Sequence, residues 1–446
     1  MMTTSQAAAT LNVSTRRVQE LVKTHELKAE KASGVWLIDE ASVRNRLANS
    51  SKRGGRPRIG SGKHDVSFTL MNRTHEVVEL VYDTRRKEFT AIGSDVDLVH
   101  TPLGLASNDG RIPLDTLNDW WRGRGIPHAR QGLAALLCEA SVSLPQELIQ
   151  RNLGLSLSDQ YWIRPKNSGL IWERINFFNN DFKQVSLDTA AYAVEGKEAQ
   201  AKPDNTSDGN LEKHWICRNG VRMLLKSGTQ YGQEPYNEVV ASALHRRLLA
   251  PDEYVTYALE GEGATAQSCC ANFLTDEEEF VPAVYVERHL KRNEHANDYE
   301  HYLSSCEALG AAGTKEALDR MIVCDDIIAN HDRHHRNFGI VRNVNTLECH
   351  PAPIFDSGSS LWCDVATSQL AAGEHSFASK QFYESPAKQM LLVDDMGWFN
   401  AAALDGFIDE AAEILVRNEA LSRRLPYIES ALRWRLERMR RIAEWD

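Results

Sequence analysis

The sequence predicts an α+β protein with a two-lobed body, an accessory region in front of it and a small separate head. Three observations support this fold class. Short apolar runs divided by turn residues dominate from about residue 204 to 290, and amphipathic helical patterns dominate from about 297 onward. The 446 residues exceed what a single hydrophobic core usually holds. The first 63 residues also differ from the rest in the sign of their charge.

The charge is divided unevenly along the chain. Residues 1–63 hold twelve Lys and Arg against five Asp and Glu, a net charge of +7, whereas residues 64–446 carry a net charge of −18. A basic head on an acidic body predicts that only the head meets a polyanion such as DNA. The same acidity argues against a broad nucleic-acid groove elsewhere in the chain.

The composition is that of an ordinary soluble protein, with 42% hydrophobic and 25% charged residues. No run approaches the roughly 18 apolar residues that span a bilayer, and the N-terminus lacks a signal-peptide pattern. The eight cysteines include no Cys-x-x-Cys pair, which favours reduced thiols over a disulfide framework or a zinc ribbon. We therefore predict a cytoplasmic protein without a membrane partner.

The first fifty residues carry the pattern of a small DNA-binding domain. A short helix is predicted over residues 5–11, and Ser14 caps a second helix with an apolar face. The stretch 27–38 suits a two-stranded wing, so that residues 1–50 resemble the winged helix-turn-helix of the excisionase and MerR group. The residues predicted to reach the DNA major groove lie on the second helix: Arg16, Arg17 and Gln19.

A basic linker, residues 51–65, follows this head. Its Gly-Arg-Pro-Arg sequence looks like the centre of an AT-hook, in which Arg56 and Arg58 would enter a narrow minor groove. A plain solvated linker, and a head that contacts protein instead of DNA, are the alternatives. DNA is the predicted partner of residues 1–63. A homodimer is consistent with this prediction, because winged-helix heads often read paired half-sites.

The sharpest chemical signal is Asn-His-Asp-Arg-His-His-Arg-Asn-Phe-Gly at residues 330–339, followed by Asp356 in Phe-Asp-Ser-Gly. Asp332 and Asn337 are five positions apart, which puts both on one tight loop, and Asp356 follows 19 residues later. Phosphoryl transfer needs a carboxylate near the attacking hydroxyl and two oxygen donors that hold Mg²⁺ on the phosphates. The spacing therefore predicts a magnesium-dependent phosphotransferase.

Two other interpretations of the same region stay open at this level. Each of the three polar residues is also suited to cap a loop or to begin a turn. A transition-metal site is the second interpretation, and it would use four histidines: His331, His334, His335 and His350. Arginines interleave with these histidines, and no Glu stands in the His-Glu-x-x-His place of a metallohydrolase, which favours phosphoryl transfer.

The chain upstream of this segment contains a candidate cradle for ATP. Gly209 precedes two apolar strands joined by Asn-Gly, a hairpin suited to cover phosphates. Lys226 ends the second strand, where it fits the lysine that pairs with the α- and β-phosphates. Glu238, on the first turn of a predicted helix, is its candidate partner. Phe273 lies in the predicted hinge between the lobes, whose backbone would read the adenine edge.

Asp-Arg-His-x-x-Asn resembles the catalytic loop of the phosphoinositide 3/4-kinase-like superfamily, and the longer Asn-x-Asp-x-His-x-x-Asn-Phe resembles the HipA-like serine/threonine kinases. The resemblance covers about residues 66–440 and implies a two-lobed protein-kinase-like fold. It implies that Asp332 is the catalytic base and that Asn337 and Asp356 hold Mg²⁺. His334 stands where ordinary protein kinases place a lysine, so its role, at the γ-phosphate or in positioning the base, stays open.

The resemblance also implies a toxin-like or regulatory protein kinase, with an unidentified protein substrate and autophosphorylation at Thr206 or Ser207. A nucleotide-sensing transcriptional regulator without turnover, and a kinase for a lipid or small molecule, are the alternatives. The predicted domains are the head (1–50), the basic linker (51–65), an accessory region (66–200), a kinase N-lobe (201–290) and a helical kinase C-lobe (291–446).

Overall fold

The computed structural model describes most of the chain in two compact units, Met1–Lys63 and His64–Asp446. The described residues are 2–11, 15–23, 27–32, 35–43, 64–107, 109–127, 130, 133–139, 144–182, 185, 187, 201–206, 211–229, 231–373 and 375–444.

The described part of the first unit contains two helices, a helical turn at residues 40–43 and a small antiparallel sheet. Its elements are β1 (Met2–Thr3), α1 (Thr4–Leu11), α2 (Thr15–Lys23), β2 (Ala29–Ala32) and β3 (Val35–Ile38). The strand order is β1-β3-β2, so the predicted wing is present, with a third strand of two residues too short to leave a sequence pattern. Both helices bury their apolar faces in the core of this unit, and Val18 and Leu21 lie on the buried face of α2.

The second unit begins with a four-stranded antiparallel sheet of order β6-β5-β4-β7. Three of these strands form a meander: β4 (Asp65–Asn72), β5 (His75–Asp83) and β6 (Glu88–Ile92). The fourth, β7 (Tyr161–Pro165), follows the helices α3 (Leu114–Gly123), α4 (Leu133–Glu139) and α5 (Pro145–Arg151), and it precedes α6 (Trp172–Ile175). Trp120 and Trp121 are buried in the hydrophobic core that this sheet shares with α3.

A second antiparallel sheet, of order β10-β11-β9-β8, forms the β-rich lobe. Its strands are β8 (Lys213–Arg218), β9 (Val221–Lys226), β10 (Ala258–Glu260) and β11 (Gln267–Ala271). Asn219 and Gly220 join β8 to β9 with φ values of 53° and 83°, the left-handed pair that a two-residue hairpin of type I′ requires. The helix α7 (Glu234–Leu248) follows this hairpin and packs beside the sheet.

The helical lobe contains the rest of the chain. Its helices are α8 (Ala283–Val286), α9 (Asp298–Ala308), α10 (Thr314–Ile327), α11 (Thr367–Ala371), α12 (Pro386–Met390), α13 (Phe407–Leu415) and α14 (Leu425–Ala443). A three-stranded sheet lies at its start: β12 (Glu278–Pro282), β13 (Gly339–Asn343) and β14 (Cys349–Pro351). β12 lies within the predicted N-lobe (201–290), but it pairs with β13. It therefore belongs to this three-stranded sheet, in which the Asp332 loop leads into β13.

Arg435 is a buried charge on the apolar face of α14. Its side chain is buried together with the apolar residues of that face, such as Leu432 and Leu436. The guanidinium donates to the carbonyl of Asp326 at 2.7 Å and lies 4.6 Å from the ring centre of Phe377. Burial of a charge is tolerable here because carbonyl and carboxylate acceptors surround it. Within the described part of the chain, no helix has the length and apolar character to cross a membrane.

Candidate active site

Lys226 lies at the centre of a buried polar network. It ends β9 and is 4% exposed. Its Nζ donates to Oε1 of Glu238 at 2.8 Å, to Oδ1 of Asp356 at 2.6 Å and to the hydroxyl of Tyr257 at 3.2 Å. The pairing of Lys226 with Glu238 that the sequence predicted is therefore present. Asp356 comes from a segment 130 residues away and completes the network.

The network sets the protonation of its members. Burial alone would lower the pKa of Lys226, but the charges of Asp356 and Glu238 outweigh burial and raise it well above its ordinary value. Burial raises the pKa of Glu238 in spite of the nearby ammonium. Burial would also raise the pKa of Asp356, yet the Lys226 charge holds that pKa far below its ordinary value. Asp356 is consequently an ionised carboxylate at neutral pH, as a magnesium ligand must be.

Helix α7 is fixed directly to the Asp356 segment. The Oε2 of Glu238 accepts from the backbone N–H of Ser357 at 2.9 Å, and the amide of Asn237 donates to the carbonyls of Gly358 and Ser360, each at 2.8 Å. A Cβ at position 358 would lie 3.3 Å from Cγ of Glu238. Glycine is therefore suited to this position because the segment passes so close to the helix.

The loop between α10 and β13 carries Asp332 and Asn337. Its backbone closes on itself, since the carbonyl of Asp332 accepts from the N–H of His334 at 2.8 Å and from the side-chain amide of Asn337 at 2.9 Å. The N–H of Asp332 donates to Oδ1 of Asn330 at 3.1 Å. The carboxylate of Asp332 points outward, where its Oδ1 accepts from Nζ of Lys380 at 2.6 Å. The predicted pairing of base and amide on one tight loop is thus observed.

Arg333 supports this loop from below, a role that the sequence did not indicate. Its side chain is fully buried, and its guanidinium contacts Asp325 at the end of α10. It also donates to the carbonyls of Asn337 and Phe355, and to the hydroxyl of Ser357 at 2.8 Å. One side chain thereby ties the Asp332 loop to the Asp356 segment. The sequence shows Arg333 only as an arginine among histidines. Its hydrogen-bond partners come together only in the folded protein.

The neighbouring histidines do not form the alternative four-histidine metal site. Nδ1 of His335 lies 2.8 Å from a carboxylate oxygen of Glu287, and its Nε2 lies 2.6 Å from the carbonyl of Gln381, so both ring nitrogens are engaged. His350 is exposed on β14. His334 faces the cavity, and its Nδ1 accepts from the N–H of Arg336 at 3.2 Å.

Most of the predicted site residues line one cavity of about 710 Å³. The predicted residues that line it are Thr206, Lys226, Phe273, Asp332, His334, Asn337 and Asp356. Glu238 stands behind Lys226, outside the lining. The accessory region supplies part of the wall, a contribution that sequence reasoning missed: Trp120, Arg124, Asp159 and Tyr161. No spacing in the sequence could reveal it, since these residues lie on separate elements.

The remaining predicted residues are placed as follows. Phe273 packs on Phe355, with ring centres 5.5 Å apart. The hydroxyl of Thr206 is buried and donates to the carbonyl of Leu155 at 2.7 Å. Gln19 is exposed on α2. The other predicted residues lie outside what the structure describes: Ser207, Gly209, Arg56 and Arg58, together with the side chains of Arg16 and Arg17.

Asn337 and Asp356 have oxygens suited to Mg²⁺. The side-chain nitrogen of Asn337 is used within the loop, and one oxygen of Asp356 accepts from Lys226. Among the described residues, neither the amide oxygen of Asn337 nor Oδ2 of Asp356 accepts a hydrogen bond. An amide oxygen and an ionised carboxylate oxygen that face one cavity are the donor types that Mg²⁺ prefers.

Two comparisons by sequence match parts of this chain. Residues 1–51 match the sequence family described as a helix-turn-helix domain. A segment of 77 residues is 36% identical to the serine/threonine-protein kinase CtkA of Helicobacter pylori strain J99, and it covers 17% of this chain. The match spans only about a quarter of that relative, 23% of its length.

Two solved structures are more distant. The Helicobacter pylori proinflammatory kinase CtkA has 17% identity and a TM-score of 0.41, over 53% of this chain and 91% of that one. A chain of the Shewanella oneidensis MR-1 toxin–antitoxin complex of HipA, HipB and operator DNA has 13% identity and a TM-score of 0.48, over 83% of this chain and 97% of that one.

The sheets and helices define an α+β protein with a two-lobed body and a helix-turn-helix head, as predicted from sequence. The similarity to a serine/threonine kinase that the sequence predicted is found in the 77-residue match to CtkA.

Proposed function

We propose that this protein is an ATP- and Mg²⁺-dependent serine/threonine protein kinase of the HipA-like type. The observation that carries the proposal is the Lys226–Glu238–Asp356 network, which faces the same cavity as Asp332 and Asn337. A nucleotide-phosphate lysine, two metal ligands and a base are the parts that phosphoryl transfer requires. The partial match to a serine/threonine kinase supports the same conclusion.

Each residue has a defined task in this mechanism. Lys226, held by Glu238, binds the α- and β-phosphates of ATP. Asn337 and Asp356 would hold Mg²⁺, which when bound would neutralise charge on the phosphates of ATP. Asp332 accepts the proton of the acceptor hydroxyl as that oxygen attacks the γ-phosphorus, and ADP departs. The buried contacts of Arg333 keep the base and the metal ligands in register.

Lys380 replaces the lysine that ordinary protein kinases place near the base. His334 occupies that sequence position, whereas the ammonium of Lys380 lies 2.6 Å from Oδ1 of Asp332. The Lys380 side chain is half exposed, and the proposal is that its charge also acts on a γ-phosphate that approaches Asp332. This residue lies 48 positions further along the chain than Asp332.

We also propose autophosphorylation at Ser207 or Thr206 as the regulatory event. Because the Thr206 hydroxyl is buried against Leu155, its modification requires an opening of this segment, which favours Ser207. A phosphopeptide map of active enzyme without modification at either residue would remove this part of the proposal. A toxin-like or regulatory role in the cytoplasm fits the similarity to HipA-like kinases.

The head is proposed to bind DNA. The helix-turn-helix match and the net charge of +7 over residues 1–63 support this function, and dimerisation would allow two heads to read paired half-sites. A protein that joins a kinase body to a DNA-binding head would combine transcriptional control and phosphoryl transfer in one chain.

The deciding experiment is transfer from γ-labelled ATP with Mg²⁺, by the purified chain in the presence of a cytoplasmic extract. Asp332→Asn should lower transfer by about 10²–10⁴-fold, the usual contribution of a general base. Asp405→Asn is the matched control, because that carboxylate is 76% exposed and far from the cavity lining. Label on protein that Asp332→Asn abolishes supports the protein kinase.

Two other outcomes would change the assignment. Label on a lipid or small molecule would identify a different acceptor class with the same chemistry. ATP binding without any transfer would contradict the proposal and favour a nucleotide-sensing regulator.

A further inference from the structure

A cluster of three metal-ligating side chains lies at the rim of the cavity, separate from the predicted magnesium ligands. His331, Cys363 and Asp364 each offer one ligand atom, and these atoms lie within 4.8 Å of one another. All three residues line the cavity. We propose that they form a binding site for a transition-metal dication of the zinc class, through which the metal inhibits phosphoryl transfer.

The distance between the His331 and Asp364 ligand atoms suits tetrahedral coordination. Zinc bonds of about 2.0–2.3 Å to nitrogen, oxygen and sulfur place neighbouring ligand atoms roughly 3.3–3.8 Å apart. Nδ1 of His331 and Oδ1 of Asp364 are 3.6 Å apart. The sulfur of Cys363 completes three ligands, and a solvent molecule can take the fourth position because the Asp364 side chain is 58% exposed.

The backbone already holds the ligands together. The N–H of His331 donates to the carbonyl of Ser359 at 3.0 Å, and the N–H of Cys363 donates to the carbonyl of Ser360 at 3.1 Å. Leu361 and Trp362, just before Cys363, have φ values of 49° and 54°. Non-glycine residues are strained in this left-handed region, so this turn is retained by its surroundings. The turn brings Cys363 and Asp364 back toward His331.

The ligand types select the metal. A thiolate and an imidazole favour zinc and similar ions over Mg²⁺, which prefers oxygen ligands. Burial raises the pKa of the Cys363 thiol, so the metal must displace a proton from it, as a dication at such a sulfur does. The site therefore does not compete with Asn337 and Asp356 for Mg²⁺.

The position of the metal site explains its proposed effect on phosphoryl transfer. His331 directly precedes Asp332, and the three ligands line the same cavity as Asp332, so a dication and its bound solvent would occupy space beside the proposed base. This inhibition, unlike the metal binding itself, rests on the proposed kinase function.

The binding test uses Co²⁺ as a spectroscopic substitute for Zn²⁺, added to the metal-free full chain. One equivalent should produce a thiolate-to-cobalt charge-transfer band that Zn²⁺ removes. Cys363→Ser should abolish the band, and Asp364→Asn should weaken binding at least as much as the roughly 10–100-fold loss caused by removing an outer-shell partner. Cys217→Ser is the matched control, since this cysteine is exposed on β8, and it should keep the band.

Absence of the band in the unmodified chain, or its persistence in Cys363→Ser, would overturn the metal site. In the transfer assay with saturating Mg²⁺, Zn²⁺ should inhibit the unmodified chain, and Cys363→Ser should resist inhibition. Equal inhibition of both would refute the inhibitory role. If the unmodified chain transfers no phosphate, the proposed function fails while the cobalt spectrum still decides the metal site.

Discussion

Arg333 and Asp325 form a two-point ion pair beneath the Asp332 loop, with Nε to Oδ2 at 2.9 Å and Nη2 to Oδ1 at 3.0 Å. Asp325 also accepts from the side-chain amides of Asn330 at 2.8 Å and Gln381 at 2.6 Å. This buried carboxylate therefore holds two residues of the loop, and it connects the loop to the segment that carries Lys380.

Arg333→Met should destabilise the body by about 3–5 kcal/mol, because it leaves Asp325 charged and buried without its main partner. Urea unfolding followed by circular dichroism measures the loss. Arg86→Met is the control, since that side chain is 68% exposed, and it should stay within about 0.5 kcal/mol of the unmodified chain. Adding Asp325→Leu to Arg333→Met should recover part of the loss, and equal stabilities for Arg333→Met and the control would contradict the role assigned to the pair.

Lys380→Ala should lower the rate of phosphoryl transfer by about 10²–10³-fold, the usual effect of removing one preorganised electrostatic contact. The loss should appear in kcat, because the ammonium acts on the transferring phosphoryl group. Lys388→Ala, an exposed lysine at the start of α12, should leave transfer unchanged. A faster Lys380→Ala enzyme would mean that the ion pair with Asp332 restrains the base instead of assisting transfer.

His335 should make the stability of the body depend on pH. Burial opposes its charge, but the hydrogen bond and charge of Glu287 outweigh burial and raise the pKa of His335 above 6.5. The folded state therefore holds this proton more tightly than the unfolded state. The resulting stability is fully present below pH 6.5 and is lost as pH rises through the raised pKa.

Melting temperatures measured from pH 6 to pH 9 test this dependence. The unmodified chain should lose more stability over this range than His335→Gln, and His295→Gln, at an exposed position, should behave like the unmodified chain. Identical pH profiles for His335→Gln and the unmodified chain would contradict the prediction.

The head should bind duplex DNA with a strong dependence on salt, because each phosphate contact releases counterions. Replacing Arg56 and Arg58 together with alanine should reduce the slope of log K against log salt by about 2, one unit for each lost contact. Fluorescence anisotropy of the full chain on labelled duplexes at several salt concentrations measures the slope. If the unmodified chain shows no salt-dependent binding, the head is a protein-contact domain.

Several features could be predicted from the sequence because they depend on neighbours along the chain. The β8–β9 hairpin follows from Asn219-Gly220, whose left-handed backbone only certain residues adopt without strain. The pairing of Lys226 with Glu238 was predictable because a strand and the helix after it place residues twelve positions apart side by side.

Other features depended on partners that are distant in sequence. No local sequence pattern indicates that Lys380 contacts Asp332 or that Arg333 is buried. The same is true of the part of the cavity wall that the accessory region supplies. The partner of Arg435 lies 109 residues away, so the helical stripe could show only that this residue is near the buried face.

The sequence by itself determined the division into a basic head and an acidic body and the two-lobed α+β fold, and it supplied the residues that we propose as base, metal ligands and phosphate lysine. Only the tertiary structure decided which charges meet. Helical and strand periodicity, turn chemistry and motif spacing are properties of adjacent residues, whereas a buried ion pair forms where burial and packing bring two distant side chains within hydrogen-bond distance.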